Sequence, residues 1–95
     1  MKILAIEEEL QKLILEDEST ILKNEAEEVY KLYLDGFIRE IYFNEKNCAV
    51  ILLECKNKKE AKSLLDELPL VKNKVIKFKL TELKPYTGFS RLIEM

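Results

Sequence analysis

A guanidinium, a carboxylate and a phenol stand within four residues of one another at Arg39, Glu40 and Tyr42. Such a set can take a proton from a carbon beside a carbonyl, hold the oxygen on which charge develops and orient a polar substrate. On a strand, Glu40 and Tyr42 share a side with Ile38, while Arg39 points the other way. A carboxylate flanked by Ile38 and Tyr42 and covered by a partner would have a raised pKa, which suits proton abstraction. The plainer alternative is a rim Glu40 paired with Arg39, a lysine or water. Arg39 is either an ion-pair partner of a glutamate on the first helix or an anion clamp. Tyr42 is either a hydrogen-bonding pocket wall or an interface aromatic. Glu25 and Tyr33 are two further candidates on that helix. Glu25 has Leu22 and Val29 on its side of the helix, so it either faces inward or, the commoner case, lies on a solvated helix face.

Other chemistry is excluded by what the 95 residues lack. There is no His, hence no His-ligated metal, no Ser-His-Asp triad and no Cys-His pair. There is no CxxC, no Gly-rich phosphate loop and no G-x-S-x-G. No metal site is expected. Cys48 and Cys55 are seven apart; on one strand they would lie roughly 23 Å from each other on opposite sides, too far to bridge. Buried thiols in a reducing cytoplasm are the expectation. Sixteen Lys+Arg against 18 Asp+Glu leave a net charge of −2, without the basic footprint of a nucleic-acid binder. The run Lys56, Lys58, Lys59 and Lys62 reads as a solvated helix start. No apolar stretch approaches the ~20 residues of a membrane span.

The elements that must position these groups follow from periodicity. Lys2–Glu7 reads as a strand. Residues 8–18 are ambiguous between helix and connection. Ser19 is a plausible N-cap for a helix to Leu34, whose stripe is Leu22, Ala26, Val29 and Tyr33, and Gly36 stands where a left-handed C′ residue is expected. Phe37–Asn44 and Asn47–Cys55 read as a hairpin with Glu45-Lys46 at its tip. Asn57 can cap a second helix with the stripe Ala61, Leu64, Leu65 and Leu68, ended by Pro69. Val75–Leu83 alternates, with Ile76, Phe78 and Leu80 on one side and Lys77, Lys79 and Thr81 on the other. The order is βαββαβ, the ferredoxin-like α+β pattern: a four-stranded antiparallel sheet with two helices on one face, within a single domain over 1–95.

If Phe43 pairs with Cys48, one side of the hairpin carries Phe37, Arg39, Ile41, Phe43, Val50 and Leu52. The other carries Ile38, Glu40, Tyr42, Ala49, Ile51 and Leu53. Both are greasy, yet two helices cover only one. Each large side chain left bare forfeits roughly 1.5–3 kcal/mol. A second copy, packed sheet to sheet, is the expected cover; the alternative is a lid from residues 8–18 or the tail.

Four stretches carry a family resemblance: Tyr33–Phe43 (YLDGFIREIYF), Val50–Glu54 (VILLE), Leu68–Val71 (LPLV) and Lys84–Phe89 (KPYTGF). Together they resemble the muconolactone Δ-isomerase-like family, especially its uncharacterised members. The resemblance implies a dimeric α+β barrel that moves a double bond by proton abstraction and return. It implies no cofactor, a partner that is another copy of the chain, and a cavity between sheet and partner subunit. Laid on this chain, the cavity side falls on Ile38, Glu40, Tyr42, Ala49 and Ile51. The isomerase has His where Glu40 stands; Arg39 matches, as does an acid at Glu25 or Glu27. The expectation is an isomerase-like reaction with Glu40, Arg39 and Tyr42 catalytic. Glu25, Tyr33, Ile38, Ala49, Ile51 and Tyr86 would bind a small molecule. The alternative is a non-catalytic ligand-binding or oligomeric module.

Overall fold

Ile3 and Ala5 are fully buried while Lys2, Glu8 and Glu9 are exposed, the period-two signature of a strand with one covered side. In the computed structural model, which describes residues 1–13 and 18–93, this strand is β1, Lys2–Glu9. It is followed by α1 (Glu18–Leu34), β2 (Ile38–Phe43), β3 (Ala49–Glu54), α2 (Lys58–Asp66), α3 (Pro69–Lys72) and β4 (Ile76–Leu83). A 3₁₀ turn, Gly88–Leu92, closes the described chain. The four strands form one antiparallel sheet in the order β2-β3-β1-β4, the ferredoxin-like α+β arrangement expected from the element order.

Local chemistry accounts for most boundaries. Gly36, at φ +85°, ends α1: its N–H bonds the Tyr33 carbonyl and the Phe37 N–H bonds that of Leu32, a Schellman closure. Asn57 caps α2 by accepting the Glu60 N–H at 2.8 Å. Ser19 lies inside α1, which already begins at Glu18, so it is not the cap. Pro69 does stop α2 but also opens the four-residue α3, since a proline at the first helical position forfeits no intrahelical bond. Most of the ambiguous 8–18 stretch resolves at its start. Glu8 and Glu9 extend β1. The Leu10 N–H then bonds the Val75 carbonyl at 2.8 Å, and the Gln11 amide bonds the Lys74 carbonyl at 3.0 Å. Residues 14–17 of that stretch lie outside the described residues.

The core gathers Ile3, Ala5, Ile38, Ile51 and Leu53 from the sheet beneath Ala61, Leu65 and Leu68. α2 buries its stripe there, but no residue of α1 is fully buried, and Leu22 and Tyr33 of its predicted stripe are exposed. α1 stands off the sheet rather than sealing it. Cys55 is buried and Cys48 half-buried, both as free thiols. Burial pushes the Cys55 thiol above its ordinary range.

The hairpin register departs from the expectation by one residue, and this decides which residues can meet. Phe43 pairs with Ala49, not Cys48. Asn44 accepts the N–H groups of Lys46 and Cys48 at 2.9 and 3.0 Å, and Asn47 turns through φ 61°, which adds one residue to the loop. A bulge at Arg39 then offsets the far end, where Ile38 pairs with Leu53 and Glu40 with Leu52. Ile38, Ile41 and Phe43 therefore join Ala49, Ile51 and Leu53 on the helix side. Glu40 and Tyr42 join Val50 and Leu52 on the open side, with Leu4 and Ile6 of β1 and Lys79 and Thr81 of β4. The single set Ile38, Glu40, Tyr42, Ala49 and Ile51 is thus divided by the sheet.

Candidate functional site

Three small residues make room on the helix side. Ala5 and Ala49 lie on the sheet and Ala26 on α1. Between α1 and the strands is a cavity of about 390 Å³, whose lining includes Ala26 and Ala49. Leu22, Glu25, Ala26 and Val29, at helical spacing, form its roof. Ile41, Phe43 and Ile51 form its floor, Phe78 of β4 closes one side, and Leu70 of α3 contributes to the wall. The apolar stripe of α1 that fails to enter the core lines this cavity instead.

Two carboxylates line it, Glu25 from α1 and Glu7 from β1. Glu25 is half-buried, and one of its oxygens accepts the Leu70 N–H at 3.0 Å. Its pKa is raised above the ordinary 4.5, chiefly because burial penalises the charged form. The Leu70 N–H opposes that shift and the neighbouring charge of Glu7 adds to it. Glu7 accepts the Ala49 N–H at 3.3 Å, which ties its carboxylate to the sheet floor. A carboxyl with a raised pKa, held by one oxygen and surrounded by hydrocarbon, is equipped to exchange a proton with a bound molecule.

The Arg39, Glu40 and Tyr42 set lies elsewhere, at the β2 edge. With Tyr33, Tyr30 and Ile41 these residues line an open groove of about 570 Å³. The Tyr42 hydroxyl donates to Glu40 at 2.7 Å, and this bond raises the phenol's pKa. Both side chains are exposed in the single chain. Arg39 sits at the bulge and its Nε donates to the Gly36 carbonyl at 2.9 Å; among the described residues it forms no ion pair with a glutamate of α1. Of the nine sequence candidates, Arg39, Glu40, Tyr42 and Tyr33 therefore share one groove, while Glu25, Ala49 and Ile51 share the interior cavity. Ile38 is core, 1% exposed, and lines neither. Tyr86 is exposed in the tail, its ring edge-on to Phe89 at 4.9 Å, and also lines neither. Glu7 was missed. The alternation Ile3, Ala5, Glu7 carried two residues further would have found it.

A third groove, about 600 Å³ between α2 and β4, is rimmed by Lys58, Lys59, Lys62 and Lys77. Its one acid, Asp66, is held by Lys62 at 2.7 Å, which leaves no poised acid or base there. Among the described residues no cluster of three or more His, Cys, Asp or Glu is placed to hold a metal, and no helix is long and apolar enough to cross a membrane.

Sheet, helices and hollow define an α+β protein of the ferredoxin-like kind, the fold seen in dimeric α+β barrels. No protein-family model and no curated protein matches the sequence. A solved structure matches the fold: 5-chloro-2-hydroxyhydroquinone dehydrochlorinase from Burkholderia phenoliruptrix, in complex with 2,5-dihydroxybenzoquinone. It aligns with a TM-score of 0.62 over 93% of this chain and 98% of that one, at 14% identity. That enzyme shares the dimeric α+β barrel fold of muconolactone isomerase-like proteins.

Proposed function

We propose that this chain is a cofactor-free small-molecule enzyme of the isomerase-like kind, with Glu25 as the group that moves the proton. The observation that carries this reading is a carboxyl of raised pKa inside an apolar hollow, on a fold that a quinone-binding enzyme also uses. In the charged state Glu25 takes a proton from a carbon beside a carbonyl, leaving an enolate. The resulting carboxylic acid returns that proton to a different carbon of the same molecule, so the double bond moves and nothing is oxidised. One barrel unit spans residues 1–95. Its partner is a second copy laid over Leu4, Ile6, Val50 and Leu52, and its free thiols suit a reducing cytoplasm.

The test follows deuterium uptake by NMR at the carbon beside the carbonyl of 2-cyclohexen-1-one. Glu25→Gln is expected to lower the protein-dependent rate by about 10²–10⁴-fold, the usual worth of a general base. No uptake above the buffer rate, or equal rates for both proteins, overturns the reading.

A second reading keeps Glu40 as the acid/base, with Tyr42 and Arg39 beside it. It is favoured by the 2.7 Å Tyr42–Glu40 bond on a sheet side that a second copy would close. Loss of uptake in Glu40→Gln with Glu25→Gln unaffected selects it. Binding of the ketone without uptake in any form selects a non-catalytic ligand-binding module.

A further inference from the structure

The titratable groups lining the cavity among the described residues are both acidic, Glu7 and Glu25. Lys12 lines the adjoining groove, which shares Glu7, Leu22 and Leu70 with the cavity, but not the cavity itself. Lys58, Lys59, Lys62 and Lys77 rim the α2–β4 groove, and the Arg39 Nε is bound to the Gly36 carbonyl. A carboxylate entering the hollow meets two acidic groups with no cation in the lining to offset them.

The two glutamates are also oriented. Each gives one oxygen to a backbone N–H, Glu25 to Leu70 at 3.0 Å and Glu7 to Ala49 at 3.3 Å. The second oxygen of each is left as an acceptor for whatever fills the space, so a matching occupant brings O–H donors. Apart from Asn47 the remaining lining is hydrocarbon, with aromatic rings contributed by Phe43 and Phe78 from opposite edges of the sheet, and a flat, largely apolar body suits it. A protonated amine is not repelled by these groups, so the discrimination is against negative charge.

We propose that this cavity is a binding site for a hydroxyl-bearing ring that carries no negative charge and that it turns away carboxylate-bearing rings of the same shape. The proposal rests on the reading of the Glu25 cavity as the active site and adds the class of substrate it takes.

Three probes with one core isolate the effect of charge: resorcinol, 3,5-dihydroxybenzoate and 3,5-dihydroxybenzylamine. Binding to the full chain is followed by amide NMR shifts at Ala49 and Ile51. Resorcinol and the benzylamine are both expected to bind, since neither brings a negative charge to the two glutamates. The benzoate should bind at least about tenfold more weakly, because like charges are brought together without compensation. In the isosteric double variant Glu7→Gln/Glu25→Gln that gap should fall below about threefold, the charges but not the shape having gone. The single variant Glu7→Gln, which leaves the Glu25–Leu70 bond alone, should narrow the gap part of the way. The proposal is overturned if the benzoate binds as tightly as resorcinol, if the benzylamine is excluded as strongly as the benzoate, if the gap survives both glutamine variants, or if no probe shifts Ala49 and Ile51. Resorcinol selectivity without deuterium uptake supports this proposal and removes only the reaction. Uptake with carboxylate preference removes only this proposal.

Discussion

Replacing Glu25 separates its two roles, holding α3 and carrying charge. The Leu70 N–H, in the first turn of α3, has its hydrogen-bond partner in the Glu25 carboxyl at 3.0 Å. Glu25→Met removes that acceptor while keeping the side-chain length. Leaving a part-buried N–H unpaired costs about 1–3 kcal/mol, and access from the cavity puts this case at about 1–2. For a chain of this length each kcal/mol is worth about 4–8 °C in Tm. Glu25→Gln keeps the acceptor and removes only the charge, so near neutral pH it should be at least as stable as the wild type. The sign with pH follows from linkage. The folded-state pKa lies above the ordinary 4.5 because burial disfavours the charged form. The folded state therefore holds a proton that the unfolded chain releases, and stability falls as pH rises from 4.5 through the folded value. Urea unfolding of all three proteins at about pH 4 and about pH 7.5 measures this, with the Gln variant's relative advantage growing at the higher pH. Equal stabilities for Met and Gln would show that the Leu70 bond contributes nothing. A pH-independent offset for Gln would show that Glu25 is not desolvated.

Four other outcomes are expected. Gly36→Ala should lose about 1 kcal/mol or more in thermal unfolding through its positive φ alone, since no neighbour crowds a Cβ there. Asn44→Ala should lose about 1–2 kcal/mol, as two backbone N–H groups of the hairpin forfeit their acceptor. Light scattering should give the wild type twice the 11.2 kDa chain mass, and Leu52→Lys on the open sheet side should shift it to one; a wild type already at one chain refutes cover by a second copy. Ala49→Leu should fill the hollow, abolishing the resorcinol shifts while changing stability by less than about 1.5 kcal/mol.

The order of elements was readable because period and punctuation agree in this sequence. Gly36, Asn57 and Pro69 each act through local backbone chemistry, and β4 alternates as its residues suggest. That both sides of the hairpin are greasy was legible, but the sides of β3 were exchanged: Ala49, Ile51 and Leu53, expected on the open side, lie under the helices, and Val50 and Leu52 face out. What could not be read was phase. Without an Asn-Gly pair the loop length was open, and the positive φ at Asn47 leaves no mark in the hydrophobic pattern. One residue of slip moved Glu40 and Tyr42 away from Ala49 and Ile51. Glu25 was a candidate because of its apolar neighbours on α1, and it lies half-buried in the lining of the α1 cavity. Glu7 was read only as the last residue of the first strand, whose continued alternation puts it inside.

The two irregularities at the ends of β2, at Arg39 and Asn47, have a consequence for descent. Gain or loss of a single codon in that loop would exchange the chemistry offered to the two compartments, bringing a carboxyl and a phenol under the roof and sending an isoleucine and a phenylalanine outward. No side chain would have to mutate. Relatives with nearly the same letters in this stretch can thus house unlike molecules, and loop length tells more about their chambers than percentage identity does.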